Sequence, residues 1–349
     1  MRRCNSNLRG LSFCSALAFV AAAQAQEEGE WLRHFRIGGS VLFNVSTEFK
    51  TSGNFTLNTP PPSSRGGITY DNGFVGRDAF NTKGLTSFWG YNDSSQVNDA
   101  AKTLTYQRTG SFSANGSNRV DDIAPGFDMV YAGTFRQWDR VGIGGEFGFG
   151  LTAFQTRDKR PLAATLVQTT DQYDVSSLGT DASTGKLLIP TPPFVGNESG
   201  LAPLIPTTPT SLGETTAPGT ITGSRTLEGL LYSFRLGPTV RWEFWPRWTL
   251  NGSAGGALGI FDAEYRFNES ISATPSSSVN NSGKFGSTDL KYGGYAGAVV
   301  MYDTGNYWEA YLGAYFISLQ DGKISSNGRE ATMHLGSAIS ITAGINWTF

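Results

Sequence analysis

Apolar and polar residues alternate with a period of two in eight stretches of the chain, the signature of strands with one apolar face. They are FRIGGSVLFNV (35–45), GFDMVYAGTF (126–135), VGIGGEFGFGLTA (141–153), LLYSFRLGPTVRWEF (230–244), WTLNGSAGGALGI (248–260), LKYGGYAGAVVMY (290–302), WEAYLGAYFISL (308–319) and a last stretch from near Met333 to Phe349. In the last, Ile339, Ile341, Ala343, Ile345, Trp347 and Phe349 alternate with Ser340, Thr342, Gly344, Asn346 and Thr348. The connections alternate as well. QWDR, WPR and DTGN are short turns, whereas residues about 48–125 and 156–226 read as long loops, and 268–288 and 320–332 as moderate ones. This rhythm predicts an all-β fold: an eight-stranded antiparallel up-and-down barrel with one elaborated rim.

The second face of these strands decides which way they look. It carries Arg36, Asp128, Arg136, Glu146, Arg235, Arg241, Glu243 and Lys291, with Glu309 a further candidate, among glycines and small polar residues. A charge facing lipid near the bilayer centre costs ~2–4 kcal/mol. In a transmembrane barrel these groups face the lumen, where opposite signs pair in an interior that eight strands leave just wide enough for side chains. The apolar face then meets lipid. The tryptophans agree with this. Trp31, Trp138, Trp242, Trp245, Trp248, Trp308 and Trp347 sit at or beside the short-turn ends, and only Trp89 lies elsewhere. Tryptophan at one level of each hairpin is an interfacial girdle. The last strand is expected to pair with the first, because an open edge in a membrane leaves backbone groups unsatisfied.

Composition adds a compartment. Arg2, Arg3 and Arg9, the apolar stretch LSFCSALAFVAAA and Ala23-Gln24-Ala25 predict a signal peptide over residues 1–25. Both cysteines, Cys4 and Cys14, fall inside it, so the mature chain is expected to carry no disulfide. Of 27 basic and 29 acidic residues, three arginines leave with the signal; the remaining net charge of −5 argues against nucleic acid as a partner.

With these features the chain resembles the small bacterial outer-membrane β-barrel proteins of the OmpA-, OmpX- and OmpW-like class. The resemblance covers the barrel architecture and not the long loops. It implies residence in the outer membrane, monomeric state and contact with outer-membrane lipid. By analogy Ile341, Ala343, Ile345, Trp347 and Phe349 would be the signal read by the barrel-assembly machinery. The resemblance does not extend to the peptidoglycan-binding domain that follows the barrel in OmpA, and that function is not expected here.

Groups for chemistry are scarce. His34 and His334 are the two histidines; the latter is expected to point inward near the outer end of the last strand. No spacing marks a nucleophile with its base, and no His/Cys cluster marks a metal, so neither an enzyme nor a cofactor is expected. The fragments YDNG (70–73) and YNDSS (91–95) suit plain turns or calcium ligands. Aromatics among glycines in the first long loop suit a folded cap over the barrel mouth or a sugar-binding surface. TLTYQRTGSF (103–112) extends a hairpin above the membrane or, paired with residues 66–75, adds strands to make ten. The Pro/Thr-rich stretch 156–226 reads as extended and mobile. The charged lumen favours a structural or surface-interaction anchor that displays its loops to an extracellular ligand over a narrow porin-like channel for small or apolar solutes.

Overall fold

The computed structural model describes residues 32–54, 66–78, 83–198, 203–273 and 277–349. The expected signal peptide and Trp31 lie outside them. Eight strands form a ring: β1 (Leu32–Asn54), β2 (Asn118–Trp138), β3 (Val141–Asp158), β4 (Thr210–Trp245), β5 (Trp248–Ala273), β6 (Ser277–Asp303), β7 (Trp308–Leu319) and β8 (Ala338–Thr348). Each pairs antiparallel with its neighbour in sequence, and β8 closes on β1. Closure extends to the final residue, where Phe349 and Arg33 exchange backbone hydrogen bonds of 3.0 and 3.1 Å.

The register fixes the strand tilt. The row of paired residues through Phe316, Ala296, Ala254, Pro238, Gly145 and Gly133 reaches β1 at Arg33, whereas the row from Phe316 through Ile339 reaches β1 at Phe43. The ring therefore closes with a stagger of ten residues on β1, from 33 to 43. Spread over eight strands at the usual spacings, this sets a tilt of about 40°. At one end the turns are tight, with Asp139 at φ 44°, Arg247 at φ 68° and Gly305 at φ 83°.

At the other end the strands run far beyond the predicted segments, and here the sequence reading is corrected. β1 continues to Asn54, β3 to Asp158, and β4 begins at Thr210. Thr103–Ala114 and Leu162–Asp174 are strands too. The second pairs with the first and with β4, and the first also pairs with β1 at Ser52–Asn54. Thr103–Ala114 thus widens the wall above the ring. The proposed partner stretch instead forms its own hairpin, Gly67–Tyr70 against Gly73–Gly76. Among its described residues the Pro/Thr-rich stretch packs into the fold: Leu162, Leu166, Leu187, Ile205 and Ile221 are buried. The last predicted segment is two strands, because Arg329–His334 pairs with β1 and with Gly322–Ser326 before β8 starts.

The outward face changes character along each long strand. On β5 it reads Trp248, Leu250, Gly252, Ala254, Gly256, Leu258 and Ile260, then Asp262, Glu264, Arg266 and Asn268. The inward face inverts at the same level, from Thr249, Asn251 and Ser253 to Phe261, Ala263 and Tyr265. Most exposed large apolar side chains, including Phe127, Phe147, Leu236, Trp242, Leu258, Leu290, Leu312 and Ile341, fall in one belt next to the tight turns.

Candidate functional site

The interior is a column of alternating polar and apolar layers. Next to the tight turns, Glu309 accepts hydrogen bonds from Arg241 (3.2 Å) and Asn346 (2.6 Å), and His34 lies against Arg241 and Thr348. Inside the belt, Arg36 donates to Glu146 at 2.7 Å and Arg235 to Asp128 at 2.5 Å. Tyr295 donates to Glu146 at 3.1 Å, and the Arg235 guanidinium lies 4.1 Å from the centre of the Tyr315 ring. Strand alternation aims these groups at one point, and every charge there has an opposite partner. That is the condition under which buried ions are tolerated.

Above the pairs the core is apolar. Phe154 and Phe261 stack with centroids 5.3 Å apart, among Leu42, Phe49, Leu227 and Leu231. A further ionic layer follows. Arg225 donates to Glu269 (2.6 Å) and Asp158 (3.2 Å), Arg329 lies 3.4 Å from Glu269, and Thr51 donates to Glu269 at 2.8 Å. Phe112, Leu166, Ile221 and Ile271 form another apolar layer. The top is an aromatic cap, with Tyr70, Trp89, Tyr91, Tyr106 and Tyr173 buried. In it Tyr70 donates to Asp171 at 2.9 Å. The Tyr70 and Tyr173 hydroxyls lie 2.9 Å apart, and burial raises the hydroxyl pKa of Tyr173 to about 12. These rings face inward and pack together as a cap.

The sequence-derived lumen set divides. Arg36, Asp128, Glu146, Arg235 and Arg241 come together inside as described. Arg136 is exposed, its guanidinium 4.9 Å from the centre of the Trp138 ring, because the register slips between Thr134 and Arg136 and turns it outward. Glu243 sits at the rim, 4.0 Å from Arg241 with its side chain 46% exposed. Lys291 pairs with Asp289 at 3.5 Å, away from the Arg36 layer. Val45, the last apolar residue of the alternating stretch 35–45, would face outward by that alternation; it is buried, since an irregularity between Leu42 and Val45, with Asn44 at φ 56°, shifts the alternation.

His334 does not point into the lumen. It lies between Asp321 (2.9 Å) and Glu48 (3.4 Å). Trp138, Trp242, Trp245, Trp248 and Trp308 are exposed beside the turns, and Trp347 stacks on Phe35 with centroids 6.3 Å apart. The YDNG and YNDSS acids behave as turn residues. Asp71 accepts from the Thr109 amide at 2.9 Å, and Asp93 caps the short helix Ser94–Gln96. No metal-holding group of His, Cys, Asp or Glu occurs among the described residues.

Sequence reasoning missed Arg225, Glu269, Asp158 and Arg329, which lie outside the stretches read as strands. The signal was present in FDAEYRFN (261–268), where Phe261, Ala263, Tyr265 and Phe267 alternate with charged and polar residues.

The cavities flanking the Arg36–Glu146 and Arg235–Asp128 pairs measure about 20 Å³ and about 10 Å³. Each is of the size of a single water site. Ser40, Ser233 and Asp128 line the larger, and Leu42, Leu231 and Leu319 close it from above.

No known family model and no curated protein matches the chain. Among solved structures it is similar to the outer membrane protease OmpT of Escherichia coli at 10% identity, over 93% of this chain and 100% of that one, with a TM-score of 0.33. It is also similar to Ail, the attachment invasion locus protein of Yersinia pestis, solved with a heparin analogue, at 11% identity over 89% and 99% of the two chains, TM-score 0.24. A Pseudomonas aeruginosa FadL homologue follows at 9% identity over 91% and 90%, TM-score 0.17. At these TM-scores the likenesses carry no argument about this chain.

Proposed function

We propose that the chain is an integral bacterial outer-membrane protein, an eight-stranded up-and-down barrel that anchors a rigid extracellular stalk and displays a folded cap. The observation that carries this reading is the polarity inversion. In one belt the wall is apolar outside and ionic inside; beyond it the wall is charged outside and mainly apolar inside, with one buried ionic layer around Arg225. A water-soluble protein has no reason to expose Leu236, Leu258, Leu290 and Leu312 at one level while burying Arg36, Glu146, Arg235 and Asp128 at the same level. From Leu230 to Thr210 the wall climbs about 50 Å at the usual rise and a ~40° tilt.

The role is attachment or recognition by the displayed surface. A narrow channel would have to pass the two ion pairs and then the Phe154–Phe261 layer, which is filled. The monomer meets outer-membrane lipid through the belt, and the alternating C-terminal strand is the segment offered to the assembly machinery. Conductance of the refolded protein in planar bilayers tests the reading, with folding verified by heat-shifted gel mobility. Folded protein is expected to be silent; steady channels would overturn the anchor in favour of transport.

A further inference from the structure

The hairpin of strands Gly322–Ser326 and Arg329–His334 lies against β1 above the belt, pairing with Ser46–Thr51. Its base is fastened by one imidazole. His334 Nδ1 is 2.9 Å from Asp321 Oδ2, and Nε2 is 3.4 Å from Glu48 Oε2. The other Asp321 oxygen accepts the Leu335 amide at 3.2 Å, and the other Glu48 oxygen accepts from the Ser117 hydroxyl. One ring thus joins the hairpin, β1 and, through Glu48, the turn that leads into β2. The site is open to solvent protons, with the His334 side chain 33% exposed.

We propose that His334 is a proton-operated latch that holds this hairpin to the first strand. Ionised carboxylates only accept hydrogen bonds, and a neutral imidazole has a single N–H. The imidazolium alone can donate to Asp321 and Glu48 together. On losing its proton the ring must give up one of them, and the two carboxylates lose the positive charge between them.

Among the described residues one other cation, Lys50, reaches Glu48, and none besides His334 pairs with Asp321. Lys50 lies 3.4 Å from Glu48, Lys323 is held by Glu330 at 2.8 Å on the hairpin itself, and Arg119 of β2 turns to Asp121 at 3.9 Å. Hydrogen bonding from Ser117, opposed by desolvation and aided by His334 and Lys50, holds the Glu48 carboxyl below its usual range. Its contribution is therefore present above the unfolded carboxylate value and lost as pH falls through the lower folded one. The latch is closed while the ring carries both protons and loosens when it loses one, which frees the hairpin that carries Ile324, Ala331 and Met333, now buried.

The test is hydrogen exchange of the refolded full chain in lipid nanodiscs at pH about 5.5 and about 8.5, as protection factors corrected for intrinsic rates. Residues 322–334 and 46–51 are expected to be about tenfold better protected at the lower pH, while 262–268 of β5 changes little. His334→Gln should abolish the difference. Should that variant not refold, Glu48→Gln, which removes one acceptor, should abolish it as well. Equal protection at both pH values in the unsubstituted protein, or a difference that survives His334→Gln or Glu48→Gln, overturns the latch.

Discussion

Ile260 and Phe261 are consecutive residues on opposite sides of one wall, and between them the barrel exchanges its inside for its outside. Ile260 is the last apolar residue on the outer face of β5, and Phe261 is the first large one on the inner face, stacked on Phe154. Below this level polar groups fill the core and apolar groups meet lipid. Above it charged groups meet water on the outer face, and apolar layers fill the core except where Arg225, Arg329, Glu269 and Asp158 pair.

The Arg36–Glu146 pair is expected to hold the barrel together through the cost of breaking it. Glu146→Ala leaves the Arg36 guanidinium and the Tyr295 hydroxyl buried without their acceptor. It should destabilise by ~3–5 kcal/mol, whereas the double variant Arg36→Met/Glu146→Leu should recover most of the loss. Denaturant unfolding in lipid, read by gel mobility, checks both.

Lipid exposure is position-specific. Leu236, 68% exposed at belt level, should tolerate arginine poorly, with a cost of ~2–4 kcal/mol. The exposed Arg266 above the belt, changed to Leu, should shift stability by no more than ~0.5 kcal/mol. Equal effects of the two substitutions would place both residues in one environment.

Phe261→Ala is expected to cost ~3–5 kcal/mol, the usual loss for a buried aromatic. If the segment beyond Ile260 were a loose loop, the substitution would cost almost nothing, and chemical denaturation distinguishes the two.

Topology follows from the girdle. With Ser183→Cys on the cap side and Arg140→Cys in a tight turn, an impermeant thiol reagent should label the first on intact cells. It should label the second only after the outer membrane is opened. The reverse pattern would invert the orientation. The expected mature chain carries no other cysteine to interfere, since Cys4 and Cys14 lie in the first 25 residues.

The belt strands were legible because two signals coincide there: apolar alternation on one face, and glycine or charge on the other. The extensions were not. On β4 the outer face beyond Glu228 is Thr226, Ser224 and Thr222, whose polarity and turn chemistry suit a loop as well as a strand. Pairing with Leu162–Asp174 and with β5 supplies what local propensity does not. Arg36, Glu146, Arg235 and Asp128 could be read as inward because they lie on predicted strands. Arg225, Glu269 and Arg329 could not, since their meeting depends on strands assigned as loops. The facings of Arg136 and Val45 failed for one shared reason: a local register slip moves a side chain to the other face, and no residue pattern announced it.

The central claim is the inversion on β5, and spin labels placed on either side of it test that claim most directly. Leu258→Cys and Arg266→Cys, each labelled with a nitroxide in reconstituted vesicles, report whether the site collides with oxygen or with a water-soluble nickel chelate. The account predicts strong oxygen access and weak nickel access at 258, and the opposite at 266. Similar nickel access at both positions, or lipid-like behaviour at 266, would contradict it.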